Sequence, residues 1–263
     1  MLNRSSLARL IVLAALLLLG TAAVQAQSNT PNAPTATRVR VAHLAPFPNS
    51  NSATISVQIA AAPVGGTLGY SNRTNYIPIP GGAGTYNATV LHNGGVIYSE
   101  SITLTDGDAS LIVVGDQTQV PLDILVVDDA LADPGPGAGG IRFVHVAAIG
   151  ATIDATRVDV CFQDGDPFHN TGNAFRYLRT TAYRILPAGP YDFKFPRYNE
   201  ANPCAGEVLI DPPPLPITTG ARRTVYLVGD GNNQPLANFT FGEGIIGSEA
   251  GNTKLYLPSL MRQ

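Results

Sequence analysis

The sequence predicts an all-β protein that consists of two tandem antiparallel β-sandwich domains, either immunoglobulin-like or prealbumin-like. Three observations support this fold class. Most segments between turns alternate apolar and polar residues with a period of two and are rich in Val, Ile, Thr and Tyr, as half-buried strands are. The chain contains 27 glycines and 21 prolines among 263 residues, which favours many short strands over helices. A set of motifs also occurs twice in the same order, which indicates a duplication.

The repeated unit begins with a strand that carries an arginine and a histidine: RVRVAHLA in the first half and GIRFVHVA in the second. Three further pairs follow in the same order, namely ATISVQIA with TRVDVCFQ, NYIPIPGGAGTYNATV with AYRILPAGPYDFKF, and SLIVVGDQTQVPL with TVYLVGDGNNQPL. The third pair aligns Tyr76 with Tyr183 and Tyr86 with Tyr191. The spacing between the pairs drifts, so the two copies are expected to differ in loop length.

Turn signals divide each half into short strands. TYNATVLHNGGVIYSESITL is typical of a hairpin with Asn93-Gly94 at its turn, because both central residues tolerate positive φ. Asp106-Gly107 then turns the chain into a third strand. Each half is expected to form roughly seven strands in about 100 residues, which is the size of a β-sandwich.

Proline and glycine also mark the boundary between the halves. In DDALADPGPGAGG, Pro134 and Pro136 lack the N–H groups of a strand ladder, so this segment predicts a linker with limited hinge freedom. The polar segment QSNTPNAPTA is expected to be disordered. The predicted organisation is a signal peptide (1–26), a disordered leader (27–36), a first β-sandwich (37–129), a linker (130–139), a second β-sandwich (140–247) and a C-terminal tail (248–263).

The N-terminal residues predict export. Arg4 and Arg9 precede the apolar run 10–19, and Val24-Gln25-Ala26 supplies a small-residue cleavage site. The run is short for a membrane span, and the alternative is an uncleaved N-terminal anchor. No other segment is long and apolar enough to cross a membrane. We therefore expect a secreted protein that is extracellular or lies in the cell envelope.

Charge argues against nucleic acid as a partner. Removal of residues 1–26 takes away two arginines and no acid, which leaves 14 basic and 19 acidic residues and a net charge of −5. The basic residues form no cluster, whereas nucleic-acid binding depends on a basic patch or stripe.

The cysteine content predicts one disulfide. Cys161 and Cys204 are the two cysteines of the chain, and both lie in the second half. In an exported protein such a pair is normally oxidised, and a loop of this length would stabilise the fold by about 4 kcal/mol. The alternative is a redox-active thiol pair, although that chemistry usually uses Cys-x-x-Cys at the start of a helix.

Both repeated histidines are predicted to be structural. His43 shares one strand face with Val39 and Val41, and His145 occupies the same place in its own strand. We expect buried, neutral rings that hydrogen-bond to nearby backbone or hydroxyl groups, so replacement of His43 or His145 should cost stability before any activity. No His or Cys stands beside either ring at the spacing of a zinc site, and no metal or cofactor is expected.

Motifs for catalysis or cofactor binding are weak. GPGAGG matches G-x-G-x-x-G, but it contains a proline and precedes a strand, so no nucleotide site is expected. The Asp-Gly pairs in TDGD, QDGDP and GDGNN offer calcium ligands or, as favoured here, tight turns. H-E-x-x-H and G-x-S-x-G are absent. Asp159 with Asp164 or Glu200 could supply an acid and a base, but no spacing singles out a pair.

As a set, the motifs resemble a known family. VRVAHLAP, YIPIPGGAGTY and LIVVGD in the first half, with IRFVHVAA, VDVCF, YRILPAGPYDFKF and VYLVGD in the second, look like two copies of a secreted bacterial repeat catalogued as a domain of unknown function, number 4397. The resemblance spans about residues 38–245. The first copy departs from it, with ISVQI in place of Val-Asp-Val and no cysteine. The resemblance implies export and a β-sandwich repeat, and carries no known activity or binding residues.

We therefore expect a non-enzymatic, exported tandem β-sandwich that serves as an extracellular or cell-envelope structural module. One alternative is a binding or adhesion module for an extracellular glycan or protein, since sandwich loops and sheet faces often bind ligands. A second alternative is a secreted hydrolase. The sequence leaves the ligand and the oligomeric state open, and the tail NTKLYLPSLMRQ could be a sorting signal or a final strand.

Overall fold

The computed structural model describes residues 36–48, 53–129, 133–150, 152–168 and 174–243. The described chain contains 18 β-strands and one 3-10 turn, Ile153–Thr156, which confirms the all-β fold class. No helix in the described ranges is long and apolar enough to span a membrane. The predicted signal peptide (1–26), the leader except for its last residue, and the C-terminal tail (248–263) lie outside the described residues.

The first half contains eight strands in two sheets of four, in the orders β4-β1-β7-β8 and β3-β2-β5-β6. The pair β1 and β7 is parallel, and the other pairs in both sheets are antiparallel. The strands are β1 (Arg38–His43), β2 (Thr54–Ile59), β3 (Ala62–Gly69), β4 (Ile77–Pro78), β5 (Gly84–His92), β6 (Gly95–Leu104), β7 (Asp108–Val114) and β8 (Asp123–Asp128).

Alternation of apolar residues packs these two sheets face to face. Ile55, Val57 and Ile59 of β2 are buried, while the residues between them are half exposed, as a period of two requires. They share one core with Val39 and Val41 of β1. The hairpin between β5 and β6 turns at Asn93-Gly94, with φ of 50° and 79°, so the predicted turn is confirmed.

The second half contains ten strands in three sheets. One has five strands, in the order β11-β9-β17-β18 with β12 also paired to β9, and the others have the orders β10-β14-β15 and β13-β16. The pair β9 and β17 is parallel, like β1 and β7. The strands are β9 (Ala138–His145), β10 (Cys161–Phe162), β11 (Arg179–Thr180), β12 (Arg184–Pro187), β13 (Gly189–Tyr191), β14 (Phe193–Pro196), β15 (Val208–Ile210), β16 (Leu215–Ile217), β17 (Arg222–Val228) and β18 (Ala237–Glu243).

Strand β9 begins inside the range that the sequence assigned to the linker. Ala138 and Gly139 already belong to the strand. At Gly139 a Cβ atom would lie 2.5 Å from the carbonyl oxygen of Thr218, so the glycine is needed for close packing of two backbones. The GPGAGG segment therefore ends in a strand of the sheet, which is not the strand-to-helix context of a nucleotide site.

The outer sheets of the two halves differ in continuity. The long hairpin of β5 and β6 in the first half corresponds to two shorter pairs in the second, β13 with β16 and β14 with β15. Three prolines, 212–214, separate β15 from β16, and a loop of residues 197–207 joins β14 to β15.

The two halves share an apolar core although no sheet in the described ranges contains strands of both. The sheet β4-β1-β7-β8 and the sheet β11-β9-β17-β18 contribute to one cluster, which also includes Tyr177. From β1 and β7 it takes Ala42 and Ile112, and from β9 and β17 it takes Val144 and Tyr226. Strands β1 and β9 are thus buried on both faces, and the described residues belong to one compact unit.

Candidate functional site

Arg40 lies in the contact between the halves because alternation along β1 directs it away from Val39 and Val41. Its side chain is fully buried. Nε donates a hydrogen bond to Oγ of Ser110 at 2.6 Å, and a terminal nitrogen lies 3.5 Å from Oδ2 of Asp129. The guanidinium also lies over the ring of Tyr76, 4.9 Å from its centroid. A buried charge needs such partners, because an unpaired one is costly in an apolar surrounding.

Arg142 makes the same kinds of contact from β9 in the second half. Its Nε donates to Oγ1 of Thr224 at 2.9 Å, and its guanidinium lies 4.4 Å from the ring centroid of Tyr183. Its two terminal nitrogens donate to the carbonyl oxygen of Asp128 and to Oδ1 of Asp129. Each half thus presents an arginine, a hydroxyl residue and a tyrosine to the shared contact.

The Asp129 carboxylate joins the two arginines. It is 5% exposed and accepts hydrogen bonds from Oγ of Ser110 at 2.5 Å and from the Tyr76 hydroxyl at 2.7 Å. It also pairs with Arg142 and lies near Arg40. Because Asp129 ends the first half and immediately precedes the linker, one carboxylate ties both halves to the start of the connection between them.

Two tyrosines also cross the contact, one from each half. The Tyr70 ring packs edge-on against His43, with centroids 6.0 Å apart, and reaches Phe239 of the second half. Burial raises the pKa of its hydroxyl, and the nearby Asp230 of the second half adds to this. The hydroxyl lies beside the Gly229 backbone without hydrogen-bond geometry.

Tyr177 is the counterpart of Tyr70 in the second half. Its ring packs edge-on against His145, with centroids 6.2 Å apart. Burial raises the pKa of its hydroxyl, and the Asp123 and Asp116 carboxylates of the first half act in the same direction. Each half therefore places a tyrosine against the Gly-Asp loop of the other, which is the reciprocal pattern of an isologous two-fold interface.

The two Gly-Asp loops are held by their own aspartates. Oδ1 of Asp116 accepts the backbone N–H groups of residues 118, 119 and 120 at 2.8–2.9 Å, and Oδ1 of Asp230 accepts those of residues 232, 233 and 234 at 2.8–3.0 Å. Burial alone would raise the pKa of Asp116, but these N–H groups outweigh it and lower the pKa. In GDGNN the aspartate thus organises its own loop, and the sequence interpretation as a turn fits this geometry better than a calcium loop.

Glycine is required at the start of both loops. Gly115 and Gly229 have φ of 92° and 90°. A Cβ atom would lie 2.1 Å from the carbonyl oxygen of Pro121 in the first loop and 2.2 Å from that of Pro235 in the second. The repeated Val-Gly-Asp motif is therefore a backbone requirement of the loops that receive the crossing tyrosines.

Both histidines are fully buried on the side of their own half. Nε2 of His145 lies 2.6 Å from the carbonyl oxygen of Thr156, and its Nδ1 accepts the N–H of Ala147. His43 lies near the backbone of Ala53, just before β2, but neither of its ring nitrogens forms a hydrogen bond within the described residues, so the expected hydrogen bond is found for His145 and not for His43. Burial lowers the pKa of each ring to about 4. His145 thus ties the end of β9 to the 3-10 turn Ile153–Thr156, whereas His43 is held by packing against the rings of Phe47 and Tyr70.

The two cysteines form a disulfide in the second half, with a Cα–Cα distance of 5.9 Å. Oδ2 of the buried Asp159 accepts the backbone N–H of Cys204 at 3.1 Å, so Asp159 anchors the same loop as the disulfide. Asp164 accepts the N–H of Asp166 within its own turn. The first half has Ser56 where the second has Asp159, and its hairpin needs no such anchor.

Acidic side chains that the sequence did not single out meet between β6 and β8. Oε1 of Glu100 accepts the backbone N–H of Ile124 at 2.9 Å. Burial raises the pKa of Glu100, and the neighbouring Asp123 raises it further. Burial, together with the same two carboxylates, raises the pKa of Tyr98 to about 12. Within the described ranges, no group of three or more His, Cys, Asp and Glu side chains could hold a metal ion.

The sequence reasoning missed the arginine, aspartate and tyrosine contacts of the shared core. One signal was present: Arg40 and Arg142 precede their histidines by the same three positions in the two repeats. Because arginine is rarely buried, an arginine that recurs on one face of a strand is normally expected to face solvent. The pattern therefore gave no reason to expect a buried carboxylate beside it.

One family model matches the first half of the chain and the beginning of the second. Residues 39–156 match the family described as Domain of unknown function (DUF4397). The match runs from β1 through β9 and the 3-10 turn, and it supports DUF4397 for this stretch. The match ends at residue 156 and does not test a second copy, so the tandem repeat stays a prediction, which the paired contacts of the two halves favour.

No curated protein matches the chain. Among solved structures, the chain is similar to one described as the Bacillus anthracis TIE protein, with 11% identity and a TM-score of 0.22. The alignment covers 74% of this chain and 34% of that one, so the chain spans about a third of the length of that protein.

Proposed function

We propose that this chain is an exported, non-catalytic structural module of the cell envelope or extracellular space, in which two β-sandwich halves are fixed as one rigid body. The observation that carries the proposal is the Asp129 carboxylate, which contacts Arg40 of one half and Arg142 of the other inside the shared core.

The two halves should be held rigidly together because their separation would expose apolar and charged groups that are now buried. It would bring apolar side chains of both inner sheets into water, and it would break a buried ion pair whose remaining partner would lose its compensation. The crossing of Tyr70 and Tyr177 adds contacts that resist rotation as well as separation. A body that holds its two ends at a fixed distance suits a spacer or display element better than a hinged enzyme.

The disulfide supports export. Disulfides persist in oxidising compartments and are rare in the cytosol, so the Cys161–Cys204 bond is compatible with an extracellular protein. Export is tested by fractionating cells that make the full chain and cells that make the chain without residues 1–26. We expect oxidised protein outside the cytoplasm with the full chain and reduced, retained protein with the truncated chain. Retention of the full chain in the cytoplasm contradicts the proposal.

The rigid body is tested with spin labels on cysteines introduced at two exposed sites, Thr67→Cys in β3 and Val208→Cys in β15. We expect a single narrow distance distribution in solution. The same pair of labels in an Asp129→Asn background is the matched control and should give a broader distribution. A broad or bimodal distribution in the parent protein contradicts a fixed arrangement, and turnover in a panel of glycan, ester and peptide substrates contradicts a non-catalytic role.

A second candidate, a glycan-binding module, is favoured by one exposed surface. Thr89 and Ser99 hydroxyls lie 3.0 Å apart, Ser99 donates to Oδ1 of Asn87, and Thr85 and Thr103 lie 3.3 Å apart. This row on β5 and β6 is uncharged and rich in hydroxyl groups, as a surface for a neutral polysaccharide would be. Retention of the protein on insoluble neutral polysaccharides, lost on Asn87→Lys and kept on Val208→Lys, would support it, and equal retention of both variants would contradict it.

A further inference from the structure

Strand β6 is an exposed outer strand of its sheet. Over its ten residues, Gly95–Leu104, it pairs with β5 on one side and has no neighbour on the other within the part of the chain that the structure describes. At about 3.4 Å per residue it presents an edge on the order of 30 Å long. The N–H and C=O groups along such an edge can pair with another strand, so proteins usually protect them.

Strand β6 has one of the usual protections, a β-bulge that leaves Ile97 without a partner residue in β5, and lacks the others. It contains no Pro, Lys or Arg, and its one charged residue is Glu100. The Glu100 side chain accepts the N–H of Ile124 in β8, so it is directed to the neighbouring sheet and caps the edge of β8. The β6 edge itself carries no charge that would repel a second strand.

The other edges within the described ranges are short, interrupted or buried, or, at β8, capped by Glu100. In the second half, the strands that correspond to β6 have three residues each and are separated by the prolines 212–214. Strand β3 contains Pro63, and β18 is buried from Ala237 to Phe241. By contrast, β6 includes exposed residues along its length, and the Val96 side chain at its start is 65% exposed.

We propose that β6 pairs antiparallel with β6 of a second copy of this chain, so that two four-stranded sheets become one continuous sheet of eight strands. The pairing is centred on Ser99. This register sets Glu100 of one copy opposite Tyr98 of the other and leaves no pair of like charges directly opposed.

A second copy fits this edge better than an oppositely charged partner. The edge offers no charge for complementarity, whereas an antiparallel strand is self-complementary about a two-fold axis and places small residues, Ser99 and Ser101, at the centre. Strand addition gains main-chain hydrogen bonds, but it buries less than the roughly 1,200–2,000 Å² of stable complexes. The dimer is therefore a weak one, with a dissociation constant in the micromolar range. This inference does not depend on the proposed function.

Sedimentation velocity of the folded, oxidised chain over a concentration series from about 1 to about 300 μM spans the affinity expected of a weak interface. We expect a monomer–dimer equilibrium. Ser99→Lys sets two ammonium groups opposite each other at the centre and should weaken dimerisation at least tenfold. Val208→Lys adds the same charge to the proline-interrupted edge of the second half and should leave the equilibrium unchanged. The melting temperature of each variant shows that it remains folded.

Cysteine cross-linking then tests the register. Ser99→Cys should form an intermolecular disulfide under mild oxidation, because two copies of residue 99 face each other. Thr103→Cys should not, because its two copies lie far apart along the paired strands. A chain that stays monomeric throughout the series, an association that Ser99→Lys leaves intact, or cross-linking through residue 103 and not 99 overturns the proposal.

Discussion

The two halves of the molecule have matching side-chain contacts on the sheets that face each other, and different strand arrangements on the sheets that face away. Arg40 and Arg142 have matching hydroxyl and tyrosine partners, and Tyr70 and Tyr177 reach corresponding loops. On the outer side, one hairpin of the first half is replaced by two short strand pairs and a cross-linked loop in the second. The comparison indicates that the shared contact constrains the inner sheets of both halves alike, whereas the outer sheets are under no such common constraint.

The outer sheet of the second half shows how lost continuity is compensated. The first half connects β5 and β6 by a two-residue turn, which fixes their register locally. The second half uses residues 197–207 between β14 and β15 and adds the disulfide and the Asp159 contact to hold that loop. The disulfide stabilises the fold by restricting the unfolded chain. The tight turn between β5 and β6 holds its strands together without such a bond.

The largest effect is expected where both halves depend on one group. Asp129→Asn removes a buried charge and leaves Arg40 and Arg142 without this carboxylate, so the free energy of unfolding should fall by roughly 3–5 kcal/mol. Chemical denaturation measures it. The matched control is Asp108→Asn, because Asp108 pairs with Arg38 at the surface and should contribute at most about 1 kcal/mol. Equal effects of the two substitutions would show that the shared contact does not hold the halves together.

Removing the disulfide should destabilise the outer sheet of the second half and leave that of the first half unchanged. Cys161→Ala with Cys204→Ala opens a bond between residues 43 apart in sequence and should cost about 4 kcal/mol. Hydrogen exchange should increase first in β14, β15 and their loop, while β5 and β6 keep their protection. Uniform loss of protection across both halves would instead mean that the bond acts on the whole unit.

Protonation of the two histidines should destabilise both halves in acid. Burial lowers the pKa of His43 and His145 to about 4, below the 6.5 of an exposed ring. Folding thus favours the neutral rings, so their contribution is complete above pH 6.5 and is lost as the pH falls toward 4. The loss should reach about 3 kcal/mol per ring. Denaturation curves at several pH values measure it, and His145→Gln should flatten this slope by about half. An unchanged slope would show that His145 does not titrate in this range.

Part of this organisation could be predicted from the sequence. Alternation placed His43 and Val41 on one strand face, and Asn-Gly chemistry identified the turn at Asn93-Gly94 because these residues tolerate positive φ. The burial of the opposite face could not be predicted, since a period of two defines two faces but does not say what covers them. Arg40 resembles a solvated residue until Asp129 is known to lie beside it, and that proximity arises only from the packing of two separate sheets.

The smallest effect is expected at the hydroxyl groups of the crossing tyrosines. Tyr70→Phe and Tyr177→Phe keep the rings that pack against His43 and His145 and remove hydroxyls that have no hydrogen-bond partner. Because an unsatisfied buried hydroxyl contributes little, each substitution should change the free energy of unfolding by less than about 1 kcal/mol. Tyr70→Ala and Tyr177→Ala remove the ring contacts and should each cost roughly 3–5 kcal/mol, by analogy with other large aromatic truncations. Equal costs at the two positions would sharpen the two-fold comparison, and a large cost at one position only would show that the halves contribute unequally to the contact.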